Sequence, residues 1–403
     1  LVQQAEAAPA VPGAIEVQVI TSITEVNARE WDALVDANDP FLEHAFLAAL
    51  EASQSVGQNA GCVPRLLLAR DDGRLIGAVP LYLKTHSFGE YIFDWAWADA
   101  AQRAGIRYYP KLVAAVPYTP ATGQRMLIAP NTDRASVVST LLSGVREIAR
   151  QEGVGSVQFL FCTEPEACQL GRESEMKYLP RLSMQFHWEN RRERPFESFE
   201  DYLLEFRARN RKQVRKERAI ASSYGLSFRT VCGAELDHGD WVALQRFYSN
   251  NVARHQGIEY LQPAFFEILR HSLSHRVVAT LAYRGTQPIA GTLNFEKGTR
   301  LYGRYWGCTE ELEMLHFELC YYRLIERAIE RRYDRFEAGA QGEHKLKRGL
   351  VPRLTYSANW IRHPQLATAV DRFIRDESAV VRERVAEYAA HSPFRCDSSP
   401  RLD

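Results

Sequence analysis

No run of about 18 apolar residues occurs in this 403-residue chain, so no membrane-spanning helix is expected. Neither sign of charge is in excess. The 50 Lys and Arg residues balance 50 Asp and Glu, which removes any global field toward nucleic acid or anionic lipid and leaves only local patches. Cysteine is sparse and scattered: seven residues, with no Cys-x-x-Cys spacing. A zinc ribbon is therefore not expected, no metal ligands are assigned, and the thiols read as reduced. His86, Ser87 and Glu90 lie close in sequence, but no Gly-x-Ser-x-Gly elbow surrounds Ser87, so a serine hydrolase is not expected. The Ala-, Gln- and Pro-rich stretch from Leu1 to Gly13 lacks the charged start and apolar core of a signal peptide and reads as a disordered tail. A cytoplasmic protein is the expectation.

What is present is a globular composition. The chain is 46% hydrophobic and 25% charged, and its length favours two or three domains. Ile15 to Ile20 predicts a strand; Asn27 to Val35 and Glu43 to Ala52 predict short helices. Two apolar runs, Arg65 to Arg70 and Leu75 to Leu83, flank Asp-Asp-Gly and predict a hairpin. Tyr91 to Trp97 reads as an aromatic strand with Asp94 on the face opposite Tyr91, Phe93, Trp95 and Trp97. Apolar residues at Val137, Val138, Leu141, Leu142, Val145 and Ile148 predict a helix from Ala135 to Gln151, followed by a buried strand from Val154 to Phe161.

The second half repeats this order. Phe199 to Ser222 reads as helix, Leu226 to Val231 as strand, then Asp240 to Arg254 and Ala264 to Ser272 as helices. A second hairpin spans Arg276 to Phe295. Strand Arg300 to Trp306, helix Phe317 to Arg332, strand Tyr333 to Ala338 and a terminal helix from Leu366 to Ala389 follow. The repetition predicts an internal duplication, with domains at 14–190 and 191–392 and a frayed end at 393–403.

Polar and aromatic residues crowd one window, from Leu301 to Arg348. Arg304, Tyr305, His316, Glu318, Glu337, His344, Lys345 and Arg348 all fall in it, and a strand–helix–strand path would gather several at one cleft. Glu337 leads into Gly339-Ala-Gln-Gly342, whose glycines allow a tight turn with exposed N–H groups. His316 and Glu318 open a helix, where the terminus favours a neutral imidazole; an ordinary helix cap, with Glu favourable in the first turn, is the better-supported reading of the two. Further along the chain, Arg211, Lys212, Arg215 and Arg218 lie on a basic helix, three of them on one face, which suits phosphate as well as plain solvent.

The segment Arg209-Asn-Arg-Lys-Gln-Val-Arg-Lys216, followed by Tyr224-Gly225 and a strand, resembles the basic helix of Fem-type aminoacyltransferases. Lys84 to Trp97, Tyr108 to Lys111, Pro117 to Pro120 and Phe336 to Lys345 extend the likeness. From about Pro40 to Ile361 the chain resembles the FemAB-like, or peptidoglycan biosynthesis/recognition, family of the GNAT acyltransferase superfamily. The resemblance implies an α+β fold of two tandem GNAT-like domains, each a mostly antiparallel sheet flanked by helices. It implies transfer of an aminoacyl group from tRNA, or an acyl group from acyl-CoA, to an amine on a small molecule or cell-wall precursor; a non-catalytic binding protein on the same fold is the other reading. From their clustering around the glycine turn, Glu337 or His344 is expected to act as base, with His316 and Glu318 as further catalytic candidates in the same cleft, and Lys345 and Arg348 to stabilise negative charge. Asp94, Lys111, Arg304 and Tyr305 are expected to hold substrate, and Arg211, Lys212, Arg215 and Arg218 to hold tRNA phosphate. The usual GNAT phosphate loop, a Gly-rich turn before a helix, is replaced by Cys308-Thr-Glu-Glu-Leu-Glu-Met-Leu-His316, acidic and without glycine.

Overall fold

The computed structural model describes residues 15–339 and 342–395. The expected tail at 1–13 and residues 396–403 lie outside them. The first half contributes β1 (Glu16–Ile20), β2 (Cys62–Pro64), β3 (Leu66–Asp71), β4 (Arg74–Val79), β5 (Leu81–Lys84), β6 (Lys111–Ala114), β7 (Leu127–Ile128), β8 (Ser156–Cys162) and β9 (Leu179–Glu189). The second half adds β10 (Ser227–Cys232), β11 (Val277–Arg284), β12 (Gln287–Lys297), β13 (Arg300–Cys308), β14 (Arg335–Glu337) and β15 (Val351–Ile361). One sheet runs β10-β11-β12-β13-β14-β9-β15-β8-β6-β5-β2, and a smaller one runs β1-β3-β4-β7.

The order shows the duplication and an exchange. Antiparallel strands lead in each half to one parallel pair, β6 with β8 and β13 with β14. The strand that follows each pair in the chain then crosses over: β9 pairs with β14, and β15 pairs with β8. β9 and β15 also pair with each other, from Val351↔His187 to Asn359↔Leu179. The large sheet runs unbroken across residue 190 and through both halves. These two long central strands escaped the sequence reading because Arg181, Gln185, His187 and Arg353 interrupt their apolar runs; in the fold those side chains meet polar partners in the seam between the halves.

Three other elements differ from expectation. The return strand of the first hairpin breaks at Pro80, which has no N–H to give a ladder, so β4 stays in the small sheet and β5 joins the large one. The stretch from Tyr91 to Trp97 is not a strand. Tyr91 is in the left-handed region (φ 60°), Asp94 takes the N-cap position, and helix Trp95–Arg103 follows. The alternation there came from Ala between Trp residues, and Ala favours helix. The helix expected from Phe199 to Ser222 is two, Phe199–Leu204 and Ala208–Ser222, separated where Phe206 is buried against Phe394. Phe394 is itself buried, so the end expected to fray from residue 393 is docked through at least Arg395.

Helix Arg134–Gln151 buries the six apolar positions its spacing predicts, and Asp133 caps it at the Ala135 N–H. Each such side chain contributes about 1.5–3 kcal/mol over exposure. The second half is tighter still around Gly307, where a Cβ would sit 1.9 Å from the Phe247 carbonyl oxygen. Backbone on helix His238–Arg254 cannot yield as a flexible side chain would. Gly307→Ala is therefore expected to cost about 1–3 kcal/mol, read as a lower midpoint in urea unfolding at unchanged slope.

Candidate active site

β13 and β14 pair only from Arg300↔Arg335 to Tyr302↔Glu337. Beyond that point β13 continues along β12, while the chain after Glu337 turns away. Gly339 (φ 80°) and Gly342 (φ 109°) lead it into the short helix Glu343–Arg348, conformations that a Cβ would strain. Splaying of the two parallel strands opens a cleft of about 400 Å³. In its register with β12, Asn294 faces Gly303 and Leu293 faces Tyr305, so Arg304 is the extra residue of a bulge. Helical residues 315–330 close the far wall. Their first turns include a π segment, Glu318–Tyr322, which sets Cys320 and Tyr321 along the cleft beside His316.

Of the sequence candidates, Arg304, Tyr305, His316, His344 and Lys345 line this cleft. Lys345 is 3% exposed and donates from Nζ to the Gly339 carbonyl at 2.8 Å. Burial pushes its ammonium down to about 7. His344 Nε2 and the Tyr321 hydroxyl share a 2.9 Å hydrogen bond, and burial lowers the imidazole below its ordinary value, with help from Arg348 and Lys345. His316 packs edge-on to Trp306 and Tyr321, and burial takes its pKa to about 4. Both imidazoles are thus neutral at pH 7. Thr292, Asn294, Trp306, Cys320 and Tyr321 complete the polar and aromatic wall. Tyr321 was missed because a regular 3.6-residue helix offers no reason to single it out; the π segment does.

Other candidates fall elsewhere. Glu337 lies behind the cleft, 3% exposed, opposite His187 in the β14–β9 register. Burial raises its carboxyl against the pull of Arg335 and Arg300, and its oxygens lack a well-formed hydrogen bond among the described residues. It is not among the residues that line the cleft. Glu318 is closed off by Arg218 and Arg323, at 2.9 and 2.8 Å, within the π segment, and is not in the cleft lining. Arg348 chelates Glu217 and stacks on Phe317, which fixes it as a strut. Asp94 and Lys111 form a buried cluster in the first half and do not reach the cleft lining. On the basic helix, Arg218 is taken by Glu318 and Glu326 and Arg215 by Glu200. Arg211 is half-buried, and Lys212 is exposed.

The first half has the corresponding splay beyond Ala114↔Phe159, but it is plugged. Only about 20 Å³ remains there, between Val113, Ala115, Leu160, Phe161 and Tyr118. One cleft of the duplicated pair is therefore open to a substrate.

A family model for peptidoglycan biosynthesis/recognition proteins matches residues 22–396. The chain belongs to the FemAB-like family. No curated protein matches it. Among solved structures, FemX is 12% identical, with a TM-score of 0.50 over 86% of this chain and 98% of that one. The C-terminal domain of a putative lysylphosphatidylglycerol synthetase from Agrobacterium fabrum is 10% identical, with a TM-score of 0.51 over 87% and 96%. L-PGS from Bacillus licheniformis is 12% identical, with a TM-score of 0.50 over 89% and 98%. At such identities the likeness is one of fold: two halves of mixed, mostly antiparallel sheet flanked by helices. Among the described residues, no helix is long and apolar enough to cross a membrane.

Proposed function

We propose that this FemAB-like protein transfers an aminoacyl group from tRNA to an amine on a cell-wall precursor, with the reaction in the β13–β14 cleft. The observation that carries the reading is the lining of that cleft: two cations and two neutral imidazoles, with no carboxylate. His344 takes a proton from the acceptor amine, whose nitrogen attacks the ester carbonyl. Lys345, as the ammonium, donates to the developing oxyanion. The tetrahedral intermediate then collapses, the ester C–O bond breaks, and the ribose hydroxyl leaves with a proton from His344. Neutral His344 suits the first step and its buried Lys345 neighbour the second.

Acyl-CoA as donor is disfavoured by the segment before the helical wall. Glu310, Glu311 and Glu313 stand where a diphosphate would need N–H donors, and Met314 enters the helix in a left-handed conformation. Arg209, Lys212 and Lys216 offer an exposed alternative for a polyanion on helix Ala208–Ser222. The deciding experiment is incubation with a pool of aminoacyl-tRNAs and, separately, acetyl-CoA and longer acyl-CoAs, with an amine acceptor, read by mass spectrometry of the product. Aminoacylated product is expected; acylation from CoA alone would overturn the reading.

The surface assignment has its own test. Alanine at Arg209, Lys212 and Lys216 together is expected to weaken tRNA binding. It should lower the slope of log K against log salt by about 0.7–0.9 for each phosphate that is no longer neutralised. An unchanged slope removes this helix from the tRNA path.

A further inference from the structure

Arg304 is the cleft guanidinium whose charge no carboxylate answers among the described residues. Its Nη2 donates to the Tyr118 carbonyl at 2.8 Å, while Nε is buried without a partner. No carboxylate pairs with it among the described residues. Several shielded guanidinia differ: Arg181, Arg218, Arg327 and Arg348 each close on a Glu, while the buried Arg125 spends its donors on the backbone carbonyls of Ala121, Gln124 and Leu160. An unpaired shielded cation is costly, so it persists where something outside the chain neutralises it. The surroundings hold the fork in place. It lies over the rings of Phe41, Tyr91 and Tyr305, at 5.7, 6.0 and 5.5 Å. Tyr91 and Tyr118 adopt φ of 60° and 57°, rare for aromatic residues and found where surrounding structure imposes them. The β13 bulge adds the last element, because Arg304 and its neighbour Tyr305 both reach the Tyr118 carbonyl, which a regular strand would not allow.

We propose that the Arg304 guanidinium is an oxyanion subsite, receiving a carboxylate or phosphate group of the substrate that reacts in the cleft. This rests on the cleft being the reaction site, and it adds that the substrate carries a fixed negative charge apart from the reacting carbonyl. Planar oxyanions match the guanidinium fork, and the aromatic rings exclude water around it.

The test needs no donor or acceptor. Sodium phosphate and sodium acetate are titrated separately against the full chain, with ionic strength held by sodium chloride, and the melting temperature is followed. One or both anions are expected to raise it beyond chloride. A response to phosphate alone assigns a phosphate-bearing group, and a response to acetate alone a carboxylate. Arg304→Gln is expected to raise the half-saturating concentration about tenfold or more, while Arg103→Ala, at an exposed arginine on helix Trp95–Arg103, leaves it unchanged. Arg304→Lys decides if the Gln variant does not fold: it keeps the charge and loses the fork, so a clear weakening is again expected. No response in the native protein beyond chloride, or equal responses in the native protein and the Arg304 variants, overturns the proposal. An intact anion response without aminoacyl transfer would sink the reaction and leave the subsite standing.

Discussion

Lys345→Met is expected to reduce transfer about 10²–10³-fold, the loss seen when one donor to a developing oxyanion is removed, while making the protein more stable near neutral pH. Both effects come from one property. The ammonium is buried against the Gly339 carbonyl and Cys320, and burial brings its pKa from 10.5 to about 7. Between those values the unfolded chain holds a proton that the folded chain has released. Stability therefore rises with pH across the window, and below it the buried ammonium costs folding free energy. Met fills similar volume without charge. Its melting temperature should exceed the native one by about 2–4 °C for each kcal/mol relieved at pH 6–7, and the gap should close toward pH 10. Catalysis carries the opposite sign. The ammonium must be present to meet the oxyanion, so kcat/KM should fall as pH rises through about 7. On the acid side it should fall as His344 is protonated, below the ordinary 6.5. A rate that instead climbs through pH 7 would make Lys345 the base. Lys345→Arg separates the limbs: any residual activity should lose its alkaline decline, because guanidinium does not titrate there.

How much of this was legible in the sequence depends on what fixes each feature. Helix Arg134–Gln151 and the hairpin of β11 and β12 follow from apolar period and turn residues, both local. The window from Leu301 to Arg348 announced the cleft, since glycines at 339 and 342 and the crowding of Arg304, His316, His344 and Lys345 are visible in one dimension. What separated the cleft residues from their neighbours was not. Glu337 and Lys345 are eight positions apart on one segment, yet one faces the seam and the other the cleft because β14 ends between them. Glu318 and Arg348 look catalytic until their partners are known, and those partners, Arg218 and Glu217, come from a helix about a hundred residues upstream. The exchange of β9 and β15 is equally non-local, since each completes a sheet begun by the other repeat.

Lys111→Met is expected to be among the most destabilising single changes in the chain, at about 3–5 kcal/mol, without touching the chemistry. Lys111 has no exposed surface and its Nζ lies 2.7 Å from Glu90, 2.6 Å from Asp94 and 2.7 Å from Ser87 Oγ. Asp94 also accepts from the Tyr108 hydroxyl and Gln158 Nε2, and Lys84 lies 3.1 Å from Glu90. Burial alone would raise the Asp94 carboxyl; Lys111 and these hydrogen bonds outweigh it and hold it well below the ordinary range. In the native protein Asp94 thus contributes stability that is full above its unfolded value and lost only as pH falls through the lower folded one. Met reverses the sign. Without the ammonium the carboxyl is raised by burial, folding then favours its protonated form, and stability recovers as pH drops. The destabilisation should be largest at pH 7, about 10 °C in melting temperature, and should narrow toward pH 4. Transfer by the folded fraction at low temperature should stay close to native, because Lys111 is absent from the cleft lining. A selective loss of turnover in a variant of native stability would return Lys111 and Asp94 to the substrate, and would require the first half to reach into the β13–β14 cleft.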